Sequence, residues 1–224
     1  MNPALDFNQA RFNMVEQQIR TWDVLDQDVL ALLFAVKRED FVPPAYRSLA
    51  FADIEIPLGH DQFMMTPKIE ARIVQDLAIQ PTDRVLEIGT GSGYLTALLA
   101  RRAAQVVSIE YFADLSESAR AKLSAAGITN VELKVGDAAQ AQRDIIGAAP
   151  YDIIVLTGSS PVLPAGFTDV LNPDGRLFAV TGDAPVMHAA IISKTETGQL
   201  QRTEVFETVL ASLINAVQPE RFEF

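Results

Sequence analysis

The sequence contains no cysteine, two histidines, one tryptophan and only 18 basic residues among 224. Without a thiol there is no disulfide, no thiolate nucleophile and no cysteine-ligated metal. His60 and His188 stand far apart in the chain and offer no zinc-ligand spacing, so no metal is expected. The basic residues are outnumbered by 29 acidic ones, which sets the net charge at −11 and the pI near 4.6. Nucleic-acid binding needs clustered Lys and Arg against phosphate, and the only adjacent basic pairs are Lys37-Arg38 and Arg101-Arg102. Long apolar runs are also missing: nothing approaches the roughly 20 residues that span a bilayer. Met1–Asp28 is polar where a secretory signal would be apolar. A cytoplasmic protein with neither nucleic-acid nor membrane partners is expected, and no pattern specifies an oligomeric state.

What is present is ordinary globular material, 49% hydrophobic and 21% charged. The length suits one α/β domain with an extension. Phe12, Val15 and Ile19 predict a helix over 8–20, and Val29, Leu32, Leu33 and Val36 predict a second one capped by Asp26. Pro43-Pro44 should end regular structure, and 51–67 reads as an irregular but apolar stretch before a helix from Lys68 to Leu77. Strands and helices then alternate: Arg84–Ile88, Tyr94–Arg102, Val106–Glu110, Leu115–Ala126, Val131–Val135, Asp152–Thr157, a helix near Phe167–Leu171, and Arg176–Val180. That alternation predicts a doubly wound, mostly parallel sheet. Strands at Ala189–Lys194 and Arg202–Leu210 follow too closely for a crossover helix, so antiparallel edge strands are expected. Residues 1–80 read as a helical extension with a loop, packed on a core of 81–224 as one structural unit.

The most informative run is Val85-Leu86-Glu87-Ile88-Gly89-Thr90-Gly91-Ser92-Gly93-Tyr94. Glycines at alternate positions, between a strand and a helix, let backbone N–H groups approach a ligand. Dinucleotide enzymes use a similar loop, but their third glycine comes one residue later. Glu87 argues against a pyrophosphate by simple repulsion and suits the ammonium or sulfonium of S-adenosylmethionine. Glu110 ends the second strand, where such folds set an acid against ribose hydroxyls. Asp137 closes the third strand and can reach an adenine edge. Gly91-Ser92-Gly93 lacks the nucleophile-elbow pattern of a hydrolase.

With these residues in view, the chain resembles the protein-L-isoaspartyl (D-aspartyl) O-methyltransferases, a family of class I S-adenosylmethionine-dependent enzymes. Besides the glycine run, the resemblance rests on Val36-Lys37-Arg38-Glu39-Asp40-Phe41-Val42-Pro43, Asn130-Val131, Gly136-Asp137, Pro150-Tyr151-Asp152 and Leu171-Asn172-Pro173-Asp174-Gly175-Arg176-Leu177. It implies a Rossmann-like methyltransferase fold, carboxyl methylation of isoaspartyl residues in damaged proteins, and S-adenosylhomocysteine as product. It also implies that Glu87 with Gly89, Thr90, Gly91, Ser92 and Gly93 holds the methionine end, Glu110 the ribose and Asp137 the adenine side. Ile56-Pro57-Leu58-Gly59 would then lead into a loop covering the acceptor, a protein or peptide.

That loop departs from the family pattern. Phe63 stands where the family has Thr and Met65 where it has a Ser implicated in acceptor binding. Thr157-Gly158-Ser159-Ser160-Pro161 and Ser212 are further departures. His60, Met65 and Thr66 are the candidate catalytic residues of the acceptor loop, with Met64, Ser159 and Ser160 as further lining candidates. A carboxylate acceptor is already ionised at neutral pH and needs no base, whereas a hydroxyl or amine does, and His60 would be the base at hand. His188 reads as structural. The alternatives are the same scaffold methylating a less polar or small-molecule acceptor, a cofactor-binding module without turnover, and an NAD-dependent oxidoreductase.

Overall fold

The computed structural model describes residues 6–219; residues 1–5 and 220–224 of the two expected units lie outside it. The helix α1 (Phe7–Asn13) is capped by Asp6, whose carboxylate accepts from the Asn8 and Gln9 amides. It runs on through a π turn (Met14–Ile19) and a 3₁₀ turn (Arg20–Trp22). The π turn adds a residue to the helical repeat and rotates the buried face. Met14, Val15 and Ile19 are buried while Phe12, expected inside, is half exposed and packs against Phe34. Asp26 caps α2 (Gln27–Ala35) as expected, and Val29, Leu32, Leu33 and Val36 are buried. Pro44 does not end regular structure but opens a 3₁₀ turn, Pro44–Leu49.

The stretch read as irregular contains a hairpin, β1 (Ile56–Gly59) and β2 (Gln62–Met64). The helix α3 (Pro67–Leu77) follows, with Ile69, Ile73, Val74 and Leu77 buried. Each such side chain contributes about 1.5–3 kcal/mol on leaving water.

The core is a sheet of seven strands in the order β5-β4-β3-β6-β7-β8-β9. The strands are β3 (Arg84–Ile88), β4 (Gln105–Glu110), β5 (Val131–Val135), β6 (Tyr151–Ser159), β7 (Leu171–Asp183), β8 (Val186–Lys194) and β9 (Leu200–Thr208). Those from β5 to β7 are parallel, and β8 and β9 close the edge antiparallel. Edge strand β9 carries Gln201, Arg202, Thr203 and Glu204 exposed, polar side chains that discourage pairing with another edge.

The sheet separates two apolar cores. One packs Val85, Val106, Ile153, Val155 and Phe178 with α3, α4 (Tyr94–Arg102), α5 (Ala113–Ala125) and the buried residues of the N-terminal helices. The other packs Leu86, Ile88, Val107, Ile154 and Leu177 under two short helices, α6 (Arg143–Ile146) and α7 (Ala165–Asp169). The parallel order reverses between β3 and β6, and the crevice above that switch is where open α/β sheets bind ligands.

Candidate active site

A cleft opens at the carboxyl ends of β3, β4, β5 and β6. Its floor is the turn after β3. Gly89 has φ +95, and a Cβ there would lie 2.2 Å from the Thr157 hydroxyl, so only glycine fits. Thr157 uses that proximity: its Oγ1 contacts the Ile88 and Gly89 carbonyls, both at 2.8 Å, and ties β6 to the turn. Gly91, at φ +53, faces Leu58 of the hairpin, which a Cβ would meet at 3.3 Å.

Glu110 is buried at the end of β4 and grips the glycine turn from the side. Its Oε2 accepts from the Gly91 amide at 2.8 Å and its Oε1 from the Phe112 amide at 3.0 Å. A carboxylate has about four lone-pair sites, so two remain for hydroxyl donors in the cleft. Asp137 lines the same cleft, with Oδ1 accepting from the Ala139 amide at 3.2 Å and Oδ2 from the Asn215 side chain at 2.7 Å. Both acids and the glycine turn therefore meet at one cavity.

Glu87 does not meet them there. It lies beneath the turn, fully buried, with Oε2 accepting from Thr96 and Ser108 hydroxyls at 2.6 Å each. Ser108 also bonds Thr90 at 2.6 Å, so a hydroxyl chain links the acid to the glycine turn. Oε1 has no partner, and burial pushes the carboxyl up to about 8 despite the two hydroxyl bonds. Its neighbours Ser108 and Thr96 carried no signal in the sequence beyond their place on a strand and a helix.

Above the turn stands the hairpin. Leu58, Phe63 and Met65 line both the main cleft and an adjoining compartment, which Thr90, Ser92 and the buried Glu70 also border. Phe63 is 45% exposed at the mouth, whereas Met65 is 7% exposed on the wall. Glu70 is pushed up to about 7 by burial, against the opposing pull of Arg38. The hairpin tip turns through His60 and Asp61, both in the left-handed region at φ 53 and 54. His60 does not line the cleft; it bonds Asp114 at 2.9 Å and stacks at 4.1 Å on Phe112, which does line it. Thr66 lies behind the wall with a buried, unpartnered hydroxyl and borders neither compartment.

Ser159 and Ser160 are fully buried and also stand off the cleft. Ser159 bonds the Leu210 carbonyl at 2.9 Å and Ser160 the Val162 carbonyl at 2.6 Å. Ser159 thereby fastens a segment absent from the expected site, Leu210 to Ile214, which crosses the strand ends and lines the cleft. Its one sequence signal was the apolar run from Val209 to Leu213, interrupted only by Ser212. His188, on β8, faces Glu204 across the sheet edge at 3.5 Å. Among the described residues, no group of His, Cys, Asp and Glu is placed to hold a metal ion.

Comparison with known proteins extends this geometry. The family model for protein-L-isoaspartate(D-aspartate) O-methyltransferase matches residues 9–218. The protein-L-isoaspartate O-methyltransferase of Methanoculleus marisnigri is 44% identical over 172 residues, 77% of each chain. That of Methanoregula boonei is 40% identical over 199 residues, 89% of each chain. A Plasmodium falciparum protein-L-isoaspartate O-methyltransferase, crystallised with S-adenosyl-L-homocysteine, shares the fold with a TM-score of 0.77. The alignment covers 93% of this chain and 98% of that one at 19% identity. A match that begins within the first helix and runs past the last strand shows that this chain belongs to the protein-L-isoaspartate (D-aspartate) O-methyltransferase family.

Proposed function

We propose that this protein is an S-adenosylmethionine-dependent methyltransferase that esterifies the free carboxylate of isoaspartyl residues in proteins or peptides. The observation that carries this reading is the convergence of the glycine turn, Glu110 and Asp137 on one cleft whose remaining wall is the hairpin. The residues fit the donor. Gly89 and Gly91 line the cleft with bare backbone, the Glu110 carboxylate has free lone pairs for ribose hydroxyls, and Asp137 stands at the adenine side in this reading. Bound there, the donor supplies a methyl group on a sulfonium, already activated for in-line displacement.

What the chain must do is align and dehydrate. Glu110 and Asp137 fix the donor's orientation, and the Gly89–Gly93 turn admits the methionine end with the support of Glu87 from below. Leu58, Phe63 and Met65 exclude water at the reacting end, where effective concentration supplies most of the acceleration. A carboxylate acceptor is ionised at neutral pH, so the reaction needs no base, and His60 is not among the residues that line the cleft. Residues 1–80 act with 81–224 as one unit in this reading, because their buried side chains share a core and the hairpin wall belongs to the first of them. A cytoplasmic location goes with it. No helix among the described residues is long and apolar enough to cross a membrane.

The test is methyl transfer from S-adenosylmethionine to an isoaspartyl peptide and to its normal aspartyl twin, with the esters identified by intact mass. Transfer to the isoaspartyl peptide alone is the expected result. Equal labelling of both peptides, or transfer only to less polar small molecules, overturns the acceptor assignment.

A further inference from the structure

The segment Val36–Pro43 carries much of the resemblance in sequence, yet none of its residues borders the cleft. Its centre is Arg38, completely buried. The guanidinium donates in three directions: Nη2 to the Met65 carbonyl at 2.6 Å, Nη1 to the Ala50 carbonyl at 2.6 Å, and Nε to Glu70 Oε2 at 3.0 Å. Its flat face lies 5.5 Å from the Tyr94 ring, in the first turn of the helix that follows the glycine turn. Neighbouring residues extend the same knot. Glu39 pairs with Arg11, Phe41 packs on Tyr94 at 5.6 Å, and the Phe41 carbonyl accepts from Lys122 of α5.

Two of the three acceptors belong to the wall of the site. Met65 lines both compartments, and its carbonyl falls between β2 and α3, where no strand ladder or helix holds it. Glu70 borders the smaller compartment beside Thr90 and Gly91. One rigid, planar cation thus fixes the peptide plane that aims Met65 and the carboxylate that faces the glycine turn. Packing alone does not call for this arrangement, since a buried ion pair usually stabilises a fold no better than apolar side chains of equal volume. The directional fork is what apolar residues cannot copy, and a lysine cannot either.

We propose that Arg38 is a positioning residue for methyl transfer: its clamp on Met65, Ala50 and Glu70 sets the acceptor wall against the glycine turn, while donor binding is left to the strand-end acids. This rests on the methyltransferase reading above. Displacement of a reacting partner by about 1 Å costs on the order of a hundredfold in rate, so the clamp acts on kcat for the acceptor reaction and leaves donor affinity alone.

The experiment uses the full chain with Arg38→Lys. It measures S-adenosylhomocysteine affinity by calorimetry, kcat and KM for an isoaspartyl peptide well below the melting temperature, and amide hydrogen exchange across residues 62–69. The expected result is product affinity within about twofold of wild type, kcat reduced at least about tenfold, and faster exchange confined to 62–69. A folded variant with wild-type kcat and wild-type exchange overturns the clamp. So does a parallel loss of donor affinity and kcat, which marks general loosening. If wild type binds S-adenosylhomocysteine but methylates no isoaspartyl peptide, the acceptor reading fails, and the exchange pattern alone still decides the clamp. If Arg38→Lys does not fold, Glu70→Gln takes its place: a partial loss of kcat with unchanged donor affinity supports the clamp, and no loss overturns it.

Discussion

The two walls of the cleft are built on different principles. The proposed donor side, Arg84 to Asp137, is local: a strand, a glycine turn and two further strand ends deliver Gly89, Gly91, Glu110 and Asp137 within about fifty residues. The proposed acceptor side is assembled from a distance. Leu58 comes from the hairpin and Met65 from just after it, Leu210 to Ile214 from beyond the last strand, and Arg38 holds the wall from behind. A cradle set by backbone geometry tolerates little change, whereas a wall of side chains can be rebuilt while its scaffold stays. Phe63 and Met65, in place of the hydroxyl residues usual in the family, are such a rebuilding.

The largest effect is expected from Gly91→Val. A β-branched residue at φ +53 is strained, and its side chain enters the space between the turn and Leu58. S-adenosylhomocysteine binding should fall by more than about a hundredfold, at or above the upper end of what the loss of one hydrogen bond costs. Calorimetry showing near-normal affinity would mean that the turn is not the cradle. Glu110→Ala comes next. It removes an acceptor for ribose hydroxyls and releases the Gly91 and Phe112 amides, for a loss of about 1–3 kcal/mol in donor binding. A folded variant with wild-type affinity would refute the ribose assignment.

On the acceptor side the expectation reverses in kind. Phe63→Thr with Met65→Ser restores hydroxyls that can bond a polar acceptor, so kcat/KM for an isoaspartyl peptide should rise by about tenfold with donor affinity unchanged. If the rate does not move, the hairpin side chains do not choose the acceptor.

The last effect, on stability rather than on binding or turnover, concerns Glu87. Its folded-state pKa lies near 8, above the 4.5 of the unfolded chain, so the folded state favours the protonated acid. The stabilisation is complete below about 4.5 and is lost as pH rises through 8. Glu87→Gln keeps a neutral hydrogen-bonding group there at every pH. Its melting temperature should therefore exceed that of wild type at pH 8 by more than it does at pH 5. An equal difference at both pH values would show that the buried carboxyl does not titrate in this window.

The same local-versus-distant contrast explains how much could be read from the sequence. The seven strands, their direction and the convergence of Gly89, Gly91, Glu110 and Asp137 at the strand ends follow from patterns confined to short windows. Glu87 was legible as an acid before the turn but not as one sealed beneath it, because strand alternation does not say which end of a strand tips a side chain into the cleft. The hairpin escaped because its tip is His60-Asp61, residues that take left-handed conformations here without the Asn-Gly signal, and because Phe63 points outward where alternation demands a polar residue. Phe12 was misplaced by one extra residue in a π turn. The Leu210–Ile214 segment and the Arg38 clamp depend on contacts across about thirty to fifty positions, which no periodicity records.

The unequal roofing of the sheet has a thermodynamic corollary. Helices α3, α4 and α5, of 11, 9 and 13 residues, cover one face, while the other lies under α6 and α7, of four and five. Partial opening costs least where the fewest apolar contacts must part, so α6 and α7, which flank the buried central strand β6, should open before the longer helices of the opposite face. Gly136 to Ala139, which line the cleft, border the approach to α6. A ligand seated against this border binds the closed form and not the opened one, and by mass action it slows solvent exchange of amides that it never touches.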